Sequence, residues 1–133
     1  GGEATAAILG GNVSVGGSGY SEFQQYIEAG KMKPIGVTSE TRLKGIPVPT
    51  LKEQGINVVI GNWRGVYAAP GISPAERKAL TDLVIAATKH KSWEEALEKN
   101  KWTPALLAGK PFEDFVDNEF ASLRATMVKA GMI

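Results

Sequence analysis

The sequence predicts an α/β fold with a helical C-terminal part. In the first sixty residues, short helical patterns alternate with short extended runs, which is typical of a parallel sheet with crossover helices. After Pro70 the alternation stops and three amphipathic helical patterns follow. We therefore assign residues 1–62 to one α/β lobe, and residues 63–133 to a crossover followed by helices.

Composition excludes several classes of protein. The 133 residues suit one domain, or one domain plus a fragment. A net charge of +1, spread evenly along the chain, gives no basic patch for nucleic acid. The longest apolar runs are far shorter than the roughly 20 residues that a membrane-spanning helix needs. The absence of cysteine excludes disulfides and thiolate chemistry.

Local signals define the elements of the first half. Glycines follow a predicted helix at Glu3–Leu9, and a second helix is predicted at residues 20–29. Thr50 and Glu53 form a capping box that begins a short helix. Between these helices, β-branched and alternating runs predict strands at residues 13–15, 34–39, 57–60 and 63–69.

Helix-start signals dominate the second half. Ser73, Pro74 and Glu76 combine an N-cap, a first-turn proline and a capping box. A second box at residues 92–95 predicts a short helix, and Pro111 begins a long amphipathic one. These helices must bury their apolar faces, and the few predicted strands offer them little area. We therefore expect part of the sheet to lie in residues that this chain lacks, as the start Gly1-Gly2-Glu3 without Met also indicates.

No catalytic, metal or cofactor site can be assembled from the sequence. The single histidine, His90, lies between two lysines at a predicted helix end, where a solvated side chain is expected. The carboxylate pairs at residues 94–95 and 113–114 fall in first turns of helices, where they favour the helix dipole. The sequence therefore predicts a protein that is not an enzyme.

The glycine-rich turn Gly16-Gly17-Ser18-Gly19 is the most informative candidate site. It joins a predicted strand to a predicted helix, so its N–H groups can either form a tight connection or bind a carboxylate-sized anion. Gly1 and Gly2 precede another helix start in the same way, although the carboxylate of Glu3 would compete there. Neither turn matches a phosphate-binding loop, because the required lysine or GxGxxG pattern is absent.

Arg64 is a second candidate, in the run Asn62-Trp63-Arg64. Its guanidinium can form a surface ion pair beside packed aromatic residues, or it can bind a ligand carboxylate in a bidentate manner.

Taken together, the motifs resemble the Bug family, the solute-binding components of tripartite tricarboxylate transporters. The run at residues 47–55, Pro-Val-Pro-Thr-Leu-Lys-Glu-Gln-Gly, is the most specific segment. The remaining segments follow in the family's order and span essentially the whole chain: residues 1–3, 9–13, 29–33, 36–42, 63–66, 69–71 and 129–131.

The resemblance implies an incomplete periplasmic binding protein-like fold, a type II Venus flytrap whose two lobes close on a carboxylate. It implies that backbone amides and water hold the ligand, without a cofactor. The resemblance places residues 1–62 in the second lobe and implies that the chain crosses back to the first lobe near residues 63–70. Residues expected to face the cleft from the second lobe are Gly1, Gly2 and Glu3 together with Gly17, Ser18, Gly19 and Tyr20. The N-terminal portion of the family pattern, including the ligand-gripping loop of the first lobe, is not in this sequence.

The predicted function is capture of a small carboxylate, such as a di- or tricarboxylate or an amino or aromatic acid, in the periplasm. Membrane subunits of the transporter are the expected partners, and faces left open by the missing half also allow a homo-oligomer. The alternative function is that of an effector-binding regulatory domain of a transcription factor.

Overall fold

A computed structural model describes residues 2–133, and these residues divide into two compact units. The first unit comprises the residues up to 66 together with 95–103, and the second comprises 67–94 and 104–133. The regular structure of residues 2–133 comprises five α-helices and one 3₁₀ turn: α1 Gly2–Leu9, α2 Tyr20–Glu28, the turn Lys52–Gln54, α3 Pro74–Thr88, α4 Lys91–Asn100 and α5 Lys110–Lys129.

The helices agree with the sequence predictions because their ends are set by local capping. The Ser73 hydroxyl accepts from the N–H of Glu76 at 3.2 Å, and the Glu76 carboxylate accepts from the N–H of Ser73 at 2.7 Å. This reciprocal pair is the predicted capping box of α3, and it holds the pKa of Glu76 below its ordinary value, chiefly through the backbone N–H of Ser73.

One helix start differs from the prediction. Helix α4 begins at Lys91, before the box predicted at residues 92–95. The residue at its N-terminus is His90, whose Nδ1 accepts from the N–H of Ser92 at 3.2 Å and lies 2.8 Å from the Ser92 hydroxyl. The imidazole thus takes the place of the oxygen acceptor that usually caps a helix.

The predicted sheet is absent from residues 2–133, so that part of the fold-class prediction is wrong for them. Their β-structure consists of one isolated parallel bridge between Val37 and Thr50. Thr38 and Ile60 are also joined by two hydrogen bonds. The N–H of Ile60 donates to the carbonyl of Thr38 at 2.9 Å, and the Thr38 hydroxyl donates to the carbonyl of Ile60 at 2.7 Å. A β-branched composition indicates only that a segment suits a sheet, whereas a ladder also needs adjacent strands.

The tightest packing lies around the bridge. Ile46 and Val48 are the buried hydrophobic residues of the described chain, and Thr50 is only 1% exposed. The predicted box is present here, since the N–H of Thr50 donates to the Glu53 carboxylate at 2.7 Å and the Thr50 hydroxyl accepts from the N–H of Glu53 at 3.0 Å. Arg42 completes the cluster with bonds of 2.9 and 3.1 Å to the same carboxylate.

The second unit has a different character. None of its residues is buried, although α3 and α5 carry many apolar side chains. Its side-chain contacts include an ion pair between Arg77 and Glu113 and a tilted ring contact between Tyr67 and Phe112, with centroids 5.7 Å apart. The periplasmic binding protein-like fold with two lobes stays a prediction.

Candidate functional site

An open groove lies between α1 and α2 in the first unit. Its volume is about 410 Å³, and it combines apolar and polar walls. The lining residues are Gly2, Thr5, Ala6, Leu9, Glu22, Gln25 and Tyr26. Thr5 is the buried residue of α1, at 8% exposure, so this wall of the groove is fixed by packing.

The predicted glycine-rich turn leads directly into α2. Gly17 and Ser18 are exposed, Gly19 is the N-cap residue and Tyr20 is the first helical residue. Gly19 is extended, with φ −61° and ψ 139°, and its carbonyl accepts from the N–H of Glu22 at 3.0 Å. The structure therefore brings the four predicted residues together at one helix start.

A carboxylate from the chain itself already occupies this helix start. The N–H of Gly19 donates to Oε2 of Glu22 at 3.2 Å, and the hydroxyl of Ser18 donates to the same oxygen. Because glycine has no side chain, the cap is one-sided: Glu22 returns to the N-cap backbone, and no N-cap side chain reaches the helix N–H groups. The turn thus holds the carboxylate of Glu22 at the start of α2.

Glu22 is ionised at neutral pH. The hydroxyl of Ser18, by donating to the carboxylate, holds the pKa of Glu22 below its ordinary value of 4.5, and the N–H of Gly19 acts in the same direction. Since Glu22 also lines the groove, a negative charge stands beside the helix start at which the sequence predicts an anion.

Of the two glycines at the start of the chain, the structure describes Gly2. Gly2 begins α1 and lines the groove, so it shares this surface with the α2 start. Glu3 lies in the first turn of α1 and is exposed. Gly1 lies outside the described residues, and its predicted role is not addressed.

Arg64 is turned back onto its own segment. Its Nη1 donates to the carbonyl and side-chain oxygens of Asn62, at 3.0 and 2.6 Å, and to the carbonyl of Trp63 at 3.2 Å. Arg64 is not among the residues that line the α1–α2 groove. A bidentate bond from Arg64 to a ligand would need this local arrangement to open, and its role stays a prediction.

Sequence reasoning missed Glu22, Gln25 and Tyr26. They lie on α2 at positions three and four residues apart, so they face the groove together. The signal for Glu22 was present, because it follows Gly19 by three residues as in a capping box. It went unrecognised because the N-cap is glycine rather than serine or threonine.

Within residues 2–133, no three His, Asp or Glu side chains lie close enough together to hold a metal ion. In the same residues, no helix is both long enough and apolar enough to span a bilayer.

Comparisons with known proteins place this geometry in context. The family described as "Tripartite tricarboxylate transporter family receptor" matches residues 1–132. A curated relative from Cupriavidus necator, "UPF0065 protein in gbd 5'region", is 30% identical over 132 residues. That match covers 98% of this chain but 40% of the relative's length. No solved structure matches the chain.

These matches confirm the resemblance to the Bug family over essentially the whole chain. The family is one of binding receptors, which agrees with the expectation of a binding protein. The alternative of a regulatory effector-binding domain gains no support from the comparisons.

Proposed function

Because this chain belongs to the family of tripartite tricarboxylate transporter receptors, we propose that it forms part of a periplasmic receptor that captures small carboxylates. The captured acid is passed to the membrane subunits of the transporter, and no chemistry is performed on it. The chain spans 40% of the length of the curated relative, so capture by two closing lobes requires polypeptide beyond these residues.

The carboxylate held at the start of α2 is the observation that supports this proposal. Gly19 N–H and the Ser18 hydroxyl converge on one carboxylate oxygen of Glu22. Donors arranged for an internal carboxylate suit that of a ligand equally well, and the positive end of the α2 dipole adds to the attraction. The ligand therefore displaces Glu22 and takes over its two donors.

Recognition by these donors depends on the carboxylate group and leaves the rest of the ligand to the groove. Ala6 and Leu9 offer apolar contact at the α1 wall, whereas Gln25 and Tyr26 offer polar atoms at the α2 wall. A small acid with a short carbon skeleton is the class of ligand that we expect.

Calorimetry on the complete gene product that carries this chain tests the proposal. The panel comprises monocarboxylates, dicarboxylates and tricarboxylates of similar size. We expect heat of binding for at least one class; no binding across the panel would refute carboxylate capture.

A matched pair of variants locates the site. Gly19→Pro removes the N–H donor, and the observed φ of −61° is one that proline adopts. Gly19→Ala keeps the donor, and an added Cβ would lie 3.7 Å from Oε2 of Glu22, an ordinary contact. Loss of one hydrogen bond to a charged group predicts binding weaker by about 10- to 100-fold in Gly19→Pro. Unchanged binding in Gly19→Pro would place the ligand elsewhere.

A further inference from the structure

The groove between α1 and α2 carries a negative charge on its wall. Among the described residues that line it, Glu22 is the one with a charged side chain. No lysine or arginine is among these lining residues, so a second or third carboxylate of a ligand would find no cationic partner there. Glu22 would instead repel it. The groove therefore favours an acid whose negative charge is balanced by a positive one.

Displacement by a ligand leaves the carboxylate of Glu22 close to the site. In the structure, this carboxylate accepts from the Ser18 hydroxyl and the Gly19 N–H. A ligand carboxylate that takes both donors deprives Glu22 of these two hydrogen bonds, while α2 still holds the Glu22 backbone in its first turn. A cationic N–H group is the strongest partner for a carboxylate in this position. A ligand that brings such a group compensates for the bonds that its own carboxylate has displaced.

We infer that the preferred ligand is a small amino acid, in which the carbon next to the carboxylate carries an ammonium group. The ammonium group donates to the displaced Glu22, while the carboxylate takes the Ser18 and Gly19 donors. An ammonium group has three N–H donors and no acceptor. Further acceptors lie on the same α2 wall, in the side chains of Gln25 and Tyr26. This inference rests on the proposed function, because it assigns a ligand class to the same site.

The charge of Glu22 acts differently on an amino acid and on the same acid without its amino group. In bulk water, attraction between unit charges about 4 Å apart changes affinity about five-fold, and repulsion at about 5 Å changes it about four-fold. In an amino acid the attraction of the ammonium group and the repulsion of the carboxylate nearly cancel. In the amino-free acid only the repulsion remains. Glu22 should therefore favour the amino acid over its amino-free analogue by about five-fold.

Calorimetry on the complete gene product tests this preference at neutral pH and low ionic strength, where screening is weak. The acids are titrated in pairs that differ only in the amino group: alanine and propionate, leucine and 4-methylpentanoate, aspartate and succinate. Citrate represents the tricarboxylates. Each acid is titrated into the parent, Glu22→Gln and Glu28→Gln. The last variant is the matched control, because it removes the same charge from the opposite end of α2.

In the parent, we expect the amino acid of at least one pair to bind about five-fold more tightly than its analogue. The ratio of the two affinities should fall about five-fold in Glu22→Gln and persist in Glu28→Gln. Equal affinities within every pair, a ratio unchanged in Glu22→Gln, an equal fall in both variants, or binding confined to succinate and citrate would overturn the inference and leave carboxylate capture intact. Failure of every acid to bind would refute carboxylate capture itself.

Discussion

Replacing Glu22 by glutamine should strengthen the binding of a carboxylate that lacks an amino group. The Glu22 carboxylate accepts a hydrogen bond from the Gly19 N–H at 3.2 Å. It also lines the groove that the ligand is proposed to enter. Its lowered pKa, caused first by the Ser18 hydroxyl, keeps it charged at neutral pH. The ligand must therefore displace a bonded carboxylate and then remain beside its negative charge.

The expected gain in affinity follows from the distance between the ligand carboxylate and Glu22, which compete for the Gly19 N–H. Once a ligand carboxylate has taken the Gly19 N–H, the displaced Glu22 carboxylate lies about 5 Å away. At that separation in bulk water, repulsion between two unit charges corresponds to about a four-fold change in affinity for each ligand charge. Glutamine removes this repulsion but retains an oxygen that accepts from Gly19. We expect Glu22→Gln to tighten binding about four-fold for a monocarboxylate, and by a further factor of less than about four for a dicarboxylate, whose second charge lies farther from Glu22.

The assay is calorimetry at low ionic strength, where screening is weak. Glu28→Gln provides the control, because it removes the same charge from the opposite end of α2, where Glu28 bonds Gln24 at 2.8 Å. Binding that is unchanged or weaker in Glu22→Gln would refute the reasoning. An equal gain in both variants would show that net charge, rather than the shared donor, is responsible.

Three further predictions concern stability, each checked by urea unfolding. Gly36→Ala should lower the free energy of unfolding by about 1 kcal/mol, since its Cβ would lie 2.9 Å from the Gln54 amide nitrogen and would displace it from the carbonyls of Ile35 and Thr50. Gly61→Ala, with open space around its Cβ, should change it by less than about 0.5 kcal/mol. The pKa of Glu53 is lowered, chiefly by the Thr50 N–H, so its ionised form stabilises the fold above pH 4.5 and this contribution is lost as the pH falls through the folded pKa. The stability difference between Glu53→Gln and the parent should therefore stay constant at higher pH and shrink below 4.5; the opposite trend would contradict the assignment. His90→Ala should lower the free energy of unfolding by about 1 kcal/mol, because it removes the side chain that caps α4. His90→Asn should leave it nearly unchanged, because asparagine is itself a good N-cap; equal losses in both variants would argue against capping.

Sequence reasoning succeeded where structure is set by near neighbours. The α3 start was predictable because Ser73 and Glu76 satisfy each other across three residues. The Thr50–Glu53 box was predictable for the same reason. The strands were not, because a ladder depends on segments far apart in the chain, and the bridge from Val37 reaches Thr50 rather than another predicted strand.

The candidate site shows the same division. The glycine-rich turn and its place before a helix were predicted, and the helix is present. That Glu22 would fill the turn was missed because the N-cap residue is glycine, so the spacing of a capping box lacked its usual serine or threonine. The groove itself depends on how α1 packs against α2, and helical spacing within each helix does not fix that packing.

The cluster around Ile46, Val48 and Thr50 has a kinetic consequence. All of its bonds join residues within about two dozen positions of one another, so closing this loop costs little chain entropy. Such short-range contacts form early, before distant segments meet. We therefore expect residues 35–55 to order before segments that must pair over longer distances, and to be the last part of the chain to release its amide protons to solvent.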